Sequence, residues 1–436
     1  MVLIVNTNNY VSPVLDSNRE SIRSILVVTF MFAIFSSLFG IGAGDKVQSD
    51  GGSNLLRQLT WIAIGAIAFF RCVSFRRYIK FDVQFNMAWI LSVLLLTYCL
   101  VSSLWSAIPD VTFKRAVLFS LMIFLCFATF GKKSSNPHSF LVVMAWPLGA
   151  LLILSFLYTA ALPSAAITSI GWRGVTSFKN EFGQLCAIAL LVFCFFSLEV
   201  ASHRLLMLFM ALLSFCGLIM SQSSTCAVAA MVGLLVSGGL LLARKFLHNS
   251  KGSILLLSLF IVFCLLLLIL LVSGLVGGDF QEQFFQLLGK SSTLTGRTKL
   301  WTLIWDNARW NNPWFGGGYG GFWNGLGSPA NFTAYRFPAG YVGQAHNGYL
   351  DVFNDLGYVG LVFLIAILSV YAFFVIKNFR KGKAEFYYHL AFLIYIILEN
   401  YAESTFFRLV GFLNIVFFAS LARIAANQWV GFHDKK

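Results

Sequence analysis

Charge is scarce in this 436-residue chain: Asp, Glu, Lys and Arg make up 11% of it, where soluble domains carry about a quarter. That shortage, beside a hydrophobic share of 58%, excludes a soluble globular protein. Acid is the scarcer sign, with 17 carboxylates against 31 Lys and Arg, for a net charge of +14. Such a charge would suit a nucleic-acid binder if it were clustered. Instead most cations punctuate apolar runs on one side, which is the positive-inside pattern, so no nucleic-acid partner is expected. Cysteine is missing from the long polar loop. All eight (Cys72, Cys99, Cys126, Cys186, Cys194, Cys216, Cys226 and Cys264) fall in or beside apolar runs, so neither a disulfide framework nor a metal site is expected. Residues 1–23 contain no apolar h-region, and no cleaved signal is expected; the first span should serve as its own insertion signal.

What the chain does have is repeated apolar runs long enough to span a bilayer as helices. Irregular backbone and open sheet edges cannot face lipid, and runs of this length exclude an outer-membrane barrel. The fold class is therefore an all-α polytopic membrane protein. About twelve spans are expected, near 24–43, 55–73, 87–105, 113–130, 140–160, 182–200, 205–220, 225–242, 253–276, 358–376, 387–400 and 409–425. With the N-terminus inside, every inner loop is basic: "FRRYIK" (75–80), "GKK" (131–133), "SHR" (202–204), "RKFLHNSKG" (244–252) and "KNFRKGK" (377–383). Both termini are then cytoplasmic. The organisation reads as membrane helices over 1–276, one extracytoplasmic loop subdomain over 277–357, and further helices with a tail over 358–436. A loop of that size inside a membrane domain is uncommon unless it is functional.

Within the loop, "TGRTKLWTLIWDNARW" predicts a helix capped near Thr295 and stopped before Pro313. Leu300, Trp301, Ile304, Trp305 and Ala308 share one face, suited either to the membrane surface or to covering the bundle. Arg297 falls in its first turn, where unpaired N–H groups and the helix dipole already favour an anion. Of six histidines, His138, His203, His248 and His433 lie on the inner side and His389 near an inner span end. His346 alone is outside, beside Asn347 at the start of an apolar run. A lone histidine is more often structural than catalytic. Its place at the lip of a cavity between spans raises the functional reading, because polar groups at membrane depth usually face such cavities.

Arg173 and Lys179 lie in "GWRGVTSFKNEFG" (171–183) on the outer side, where the positive-inside rule gives cations no reason to be. Other outer cations are Lys114, Arg115, Lys290, Lys299, Arg309, Arg336 and Arg408; for most, snorkelling to lipid headgroups suffices. Arg173 and Arg297 stand apart because each adjoins a glycine at a helix entry, and Arg grips phosphate oxygens bidentately. Two motifs fail. "GKS" (289–291) has Phe284 where a P-loop needs glycine, and "GGGYGG" (316–321) has no GK step or following helix. Tyr319, Phe322 and Trp323 among those glycines suggest a flexible aromatic surface for sugar rings, although such loops are often mere tight turns.

The pieces "SSLWSAIPDVTFKRA" (102–116), "WRGVTSFKNEFG" (172–183), "TGRTKLW" (295–301), "PWFGGGYGGFW" (313–323) and "AHNGYLDVFNDLGYVGL" (345–361), in this order, resemble the O-antigen ligase/polymerase superfamily. "GYGGFW" with "HNGYLD" is most similar to its exopolysaccharide polymerase branch. The resemblance implies a GT-C-like glycosyltransferase of the bacterial inner membrane, with its active site on the periplasmic face. It would move a glycan from an undecaprenyl pyrophosphate carrier to a second glycan or, as a ligase, to lipid A core or to protein, among membrane lipids and other polysaccharide export proteins. It places the family's loop histidine on His346 and its arginines on Arg297 and Arg173. Lys179, Asn347, Tyr319 and Arg408 are expected beside them as substrate contacts. No cofactor and no metal is implied. A histidine titrates near working pH and suits a base; paired arginines suit the leaving anion. A lipid-linked-oligosaccharide flippase is the reading from another class, but it would favour charges along a mid-span path. A purely structural membrane protein leaves His346 and the outer arginines unexplained.

The topology has a direct test. A cysteine introduced near Ser328 should react with an impermeant thiol reagent in intact spheroplasts, and protection there would sink the assignment.

Overall fold

The computed structural model describes residues 13–38, 55–74, 86–131, 140–247, 293–310, 312–336, 341–379, 383–409 and 411–426. These residues form α1 (Pro13–Leu38), α2 (Leu55–Ser74), α3 (Met87–Val101), α4 (Pro109–Phe130), α5 (Phe140–Ala161) and the short α6 (Pro163–Ala166). After them come α7 (Lys179–Glu199), α8 (Arg204–Met220), α9 (Ser224–Leu247), α10 (Thr293–Trp310), α11 (Phe332–Arg336), α12 (Gly348–Phe379), α13 (Ala384–Ala402) and α14 (Phe412–Ala426). One antiparallel pair of two-residue strands, β1 (Ile167–Thr168) and β2 (Gly171–Trp172), makes a small hairpin before α7.

Among the described residues, seven helices are long and apolar enough to cross a membrane, and three shorter apolar helices lie in α1, α2 and α14. The chain is an all-α polytopic membrane protein. The ninth expected span, 253–276, and the first part of the outer loop, 277–292, lie outside the described residues. The central helix is α7: 83% of its apolar window is buried, against 28% for α3, α8 and α9, whose apolar faces are left for lipid. It packs against α5, α8, α9 and α13, while α14 packs against α4 and α12. Burial here therefore follows position in the bundle and not hydrophobicity, because every one of these helices is apolar.

The helix that follows His346 starts ten residues before the span expected at 358. Its first turn is capped by Asn347, whose side-chain oxygen accepts from the Leu350 N–H at 3.1 Å. It then breaks at Gly357, with φ 64° and ψ −160°, a region essentially closed to residues with a Cβ. The break strips the Tyr358 and Val359 N–H groups of their helical acceptors. Pro313 and Trp314 carbonyls take them, at 2.9 and 3.2 Å, and the freed Asn354 carbonyl accepts from Gly317 at 2.8 Å. The glycine-rich segment thus replaces one missing turn of helix.

That docking corrects the expectation of a flexible aromatic surface. Tyr319 is buried (2% exposed), stacks on Phe119 with centroids 5.0 Å apart, and donates its hydroxyl to the Phe407 carbonyl at 2.8 Å. Burial pushes its phenol well above the ordinary range. The α3–α4 connection supplies the other side of the clamp. Ser102 accepts from the Tyr319 N–H at 2.9 Å, and the Arg115 guanidinium donates to the Gly320 carbonyl. Arg115 is thereby a structural clasp and not a headgroup anchor. Ser328 is also buried, at 5% exposure. The reporter cysteine belongs at Gly327 instead, where an added Cβ meets nothing within 4 Å.

Gly357→Ala should be severely destabilising. Its Cβ would lie 2.3 Å from the Trp314 carbonyl oxygen, and the backbone conformation alone costs about 1–3 kcal/mol for a non-glycine residue. A clear drop in melting temperature in detergent is expected; an unchanged melt would refute the account of the break.

Candidate active site

His346 closes the loop that leads into α12, and it adopts a left-handed backbone with φ 51°. Histidine is among the residues that tolerate this region, yet it needs to be held there. Its neighbours hold it. The Ala345 N–H donates to Asp351 at 3.0 Å, the Trp301 indole donates to the Ala345 carbonyl at 2.8 Å, and the Asn347 N–H donates to the Ser404 hydroxyl at 3.0 Å. Leu300 and Ile304 of α10 pack with Ala345, Val342 and Leu350. Of the two faces open to α10, membrane surface or bundle cover, its apolar stripe takes the second and secures this loop.

The helix begins at Thr293, two residues earlier than expected, so Arg297 sits one turn inside it and not at the N-terminus. Its guanidinium works alone, without the helix end. It donates to the Ala402 carbonyl and faces Glu403, Nη2 to Oε1 at 3.5 Å. Glu403 also faces His346, Oε2 to Nδ1 at 3.7 Å, and its Oε1 accepts from the Asn180 amide at 2.8 Å. One buried carboxylate therefore collects an arginine from α10, a histidine from the loop and an asparagine from the start of α7. Its side chain is 8% exposed, whereas Arg297 and His346 remain 24% and 32% exposed. Base and cation are open to a substrate; the carboxylate between them is not.

A second residue meets the ring at the same nitrogen. Gln344 Nε2 lies 3.2 Å from His346 Nδ1 and 3.4 Å from Nε2. The Arg408 guanidinium donates to Gln344 Oε1 and to the Ser404 carbonyl, the latter at 3.2 Å. A guanidinium has no acceptor, so Oε1 must face Arg408 and the amide NH₂ must face the ring. Arg408 reaches the site through Gln344.

The remaining expected site residues are distributed differently. Arg173 donates to the Ala165 carbonyl at 2.8 Å and to the Ser177 carbonyl at 3.4 Å, holding the loop between the hairpin and α7. The Lys179 ammonium donates to the Ile170 carbonyl at 3.1 Å. Asn180, next along, touches the cluster through Glu403. Asn347 spends its side-chain oxygen on the helix cap, and Tyr319 is in the core.

Glu403, Gln344 and Asn180 were missed from the sequence. A signal for the first existed: Glu399 and Glu403, four residues apart in "ILENYAEST", are carboxylates at the end of an apolar run, which by default mark function. Glu399 is fully buried, accepting from Gln184 at 2.7 Å and Thr405 at 2.9 Å. Asn400 beside it accepts from the Thr405 and Phe406 N–H groups, at 3.0 and 2.8 Å, and so shapes the turn that carries Glu403 and Ser404. Gly348 makes room for this: an added Cβ would lie 2.0 Å from Asn400 Oδ1.

Residues 209–365 match a family model described as O-antigen ligase, Wzy_C. The match takes in most of α8, all of α9, the Arg297 helix, the glycine-rich clasp and His346. Over this segment the chain is similar to the O-antigen ligase/polymerase superfamily. No curated protein matches it. Asn180, Glu403 and Arg408 come from outside the matched residues and complete the surroundings of His346 and Arg297. The matched family is one of polysaccharide-processing membrane enzymes.

Proposed function

We propose that this protein is a polymerase that joins polyprenyl-pyrophosphate-linked oligosaccharide units into an exported polysaccharide. The observation that carries the reading is the convergence of an open histidine and an open arginine on one buried carboxylate, in a superfamily that handles lipid-linked glycans. His346 takes the proton of the acceptor hydroxyl. The acceptor oxygen then bonds to the donor's anomeric carbon, and the bond from that carbon to the pyrophosphate oxygen breaks, its electron pair leaving with the pyrophosphate. Attack opposite the leaving group inverts the anomeric centre. Arg297 meets the developing anion, and Arg173 approaches from the α7 side once its loop bonds yield to phosphate oxygens. Fixed positive charge of this kind can stabilise the leaving group without a metal ion. The GT-C-like arrangement, twelve spans with both termini cytoplasmic, and a periplasmic site in a bacterial inner membrane belong to the same proposal.

His346→Ala should leave expression intact and lower turnover by about 10²–10⁴, the usual worth of a positioned base. Arg297→Lys and Arg173→Lys keep charge but lose the fork, so activity should fall and not recover. A chelator should have little effect. Near-normal turnover in His346→Ala, or activity lost in chelator and restored by a divalent ion, would contradict this mechanism.

The matched family's description as O-antigen ligase favours a second reading, transfer of a finished glycan to lipid A core or to protein. The likeness of "GYGGFW" and "HNGYLD" to the exopolysaccharide branch favours the polymerase. A deletion strain should then lose high-molecular-weight polysaccharide while lipid-linked single units persist. A strain that makes full-length polymer and fails only to attach it would install the ligase.

A further inference from the structure

Glu403 stands between the two groups that the proposed reaction needs, and it closes on neither. Charge-assisted N–H···O bonds are about 2.7–2.9 Å long. Glu403 lies 3.5 Å from Arg297 and 3.7 Å from His346, so its charge is divided between them. Asn180, at 2.8 Å, pins the carboxylate at this midpoint.

His346 Nδ1 is contested in turn. The Gln344 amide, oriented by Arg408, offers it a donor at 3.2 Å, which suits an unprotonated Nδ1. Glu403 can only accept, and so suits Nδ1–H. Gln344 reaches Nε2 as well, at 3.4 Å, and so fixes neither tautomer, whereas Glu403 selects one. With Glu403 on Nδ1–H the lone pair sits on Nε2, ready to receive a proton, as when a buried carboxylate orients a catalytic imidazole.

We infer that Glu403 is a positioning residue that couples donor binding to base activation. This rests on the reading of the site as a transferase using a pyrophosphate-linked donor. Before the donor arrives, Arg297 holds part of the Glu403 charge, and Gln344 holds the ring. The incoming pyrophosphate draws the Arg297 guanidinium to itself and repels the carboxylate. Glu403 then closes on Nδ1–H, which leaves Nε2 free to take the acceptor's proton and stabilises the imidazolium that results. The acceptor hydroxyl is activated only when a leaving group is in place, so the base is not spent before a donor is bound.

Glu403→Gln tests this, because glutamine can still accept from Asn180 while carrying no charge. The purified variant is compared with wild type in nanodiscs, for binding of undecaprenyl pyrophosphate without glycan and for turnover of a lipid-linked oligosaccharide. Losing the competitor for Arg297 should tighten pyrophosphate-lipid binding about two- to fivefold, as expected for a weak ion pair. The kcat should fall about ten- to a hundredfold, less than the base itself is worth. A merely structural role would weaken binding and kcat together. Since Glu403 acts through the ring, the double variant with His346→Ala should be no slower than His346→Ala alone. Unchanged or weaker lipid binding in Glu403→Gln, or losses that multiply in the double variant, would overturn the coupling while leaving the transferase reading intact if wild type is active. Tightened binding with no transfer by wild type would retain the competition for Arg297 and remove the transferase reading. Absence of pyrophosphate-lipid binding by wild type would remove both.

Discussion

The structure depends on one constraint: a backbone polar group taken out of water must find a partner within the protein. Helix α12 violates the simplest solution by breaking at Gly357, and everything around the site follows from how that break is repaired. The Pro313–Gly317 segment supplies the missing acceptors and a donor, which commits the glycine-rich loop to a single position against α12. Ser102, Arg115 and the Tyr319–Phe119 stack fix its far side to the α3–α4 connection. The first half of α12 is thereby aimed differently from the second, and its cap, Asn347, is carried to the Ser404 turn. His346 stands at that junction.

The second organising element is the turn after α13. Asn400 accepts two backbone N–H groups there, and Gly348 lets α12 approach close enough for the Asn347 contact. The result places a carboxylate, a histidine and an arginine from three separate segments around one point. A buried charge is costly unless it finds a partner, and Glu403 faces both Arg297 and His346 at less than full closeness. A partly satisfied cluster is what a site can redistribute when an anionic substrate enters.

Much of the architecture was legible beforehand. Long apolar runs with few charges mark spans by length alone, and most helix ends fell close to those expected. The loop helix, with Leu300 and Ile304 buried on one face, followed from its 3.6-residue period. The singular position of His346 and the presence of Arg297 in a loop helix were visible too, because charge is conspicuous where it is scarce. The errors have a common cause. Tyr319 looked like a surface aromatic among glycines, since sequence cannot tell a flexible glycine run from one that must fit under a broken helix. Arg115 stood undistinguished among the outer cations, since the Gly320 carbonyl it clasps is far away in the chain.

The sequence by itself determined that this is a multi-span helical protein with a polar loop carrying one histidine and helix-borne arginine, since hydrophobic length and period are local properties of the chain. Only the tertiary structure decided which polar residues meet. Glu403, Asn180, Gln344 and Arg408 join His346 and Arg297 because a break in α12, a turn after α13 and the start of α7 converge, and such long-range convergence leaves no periodic trace in any one segment.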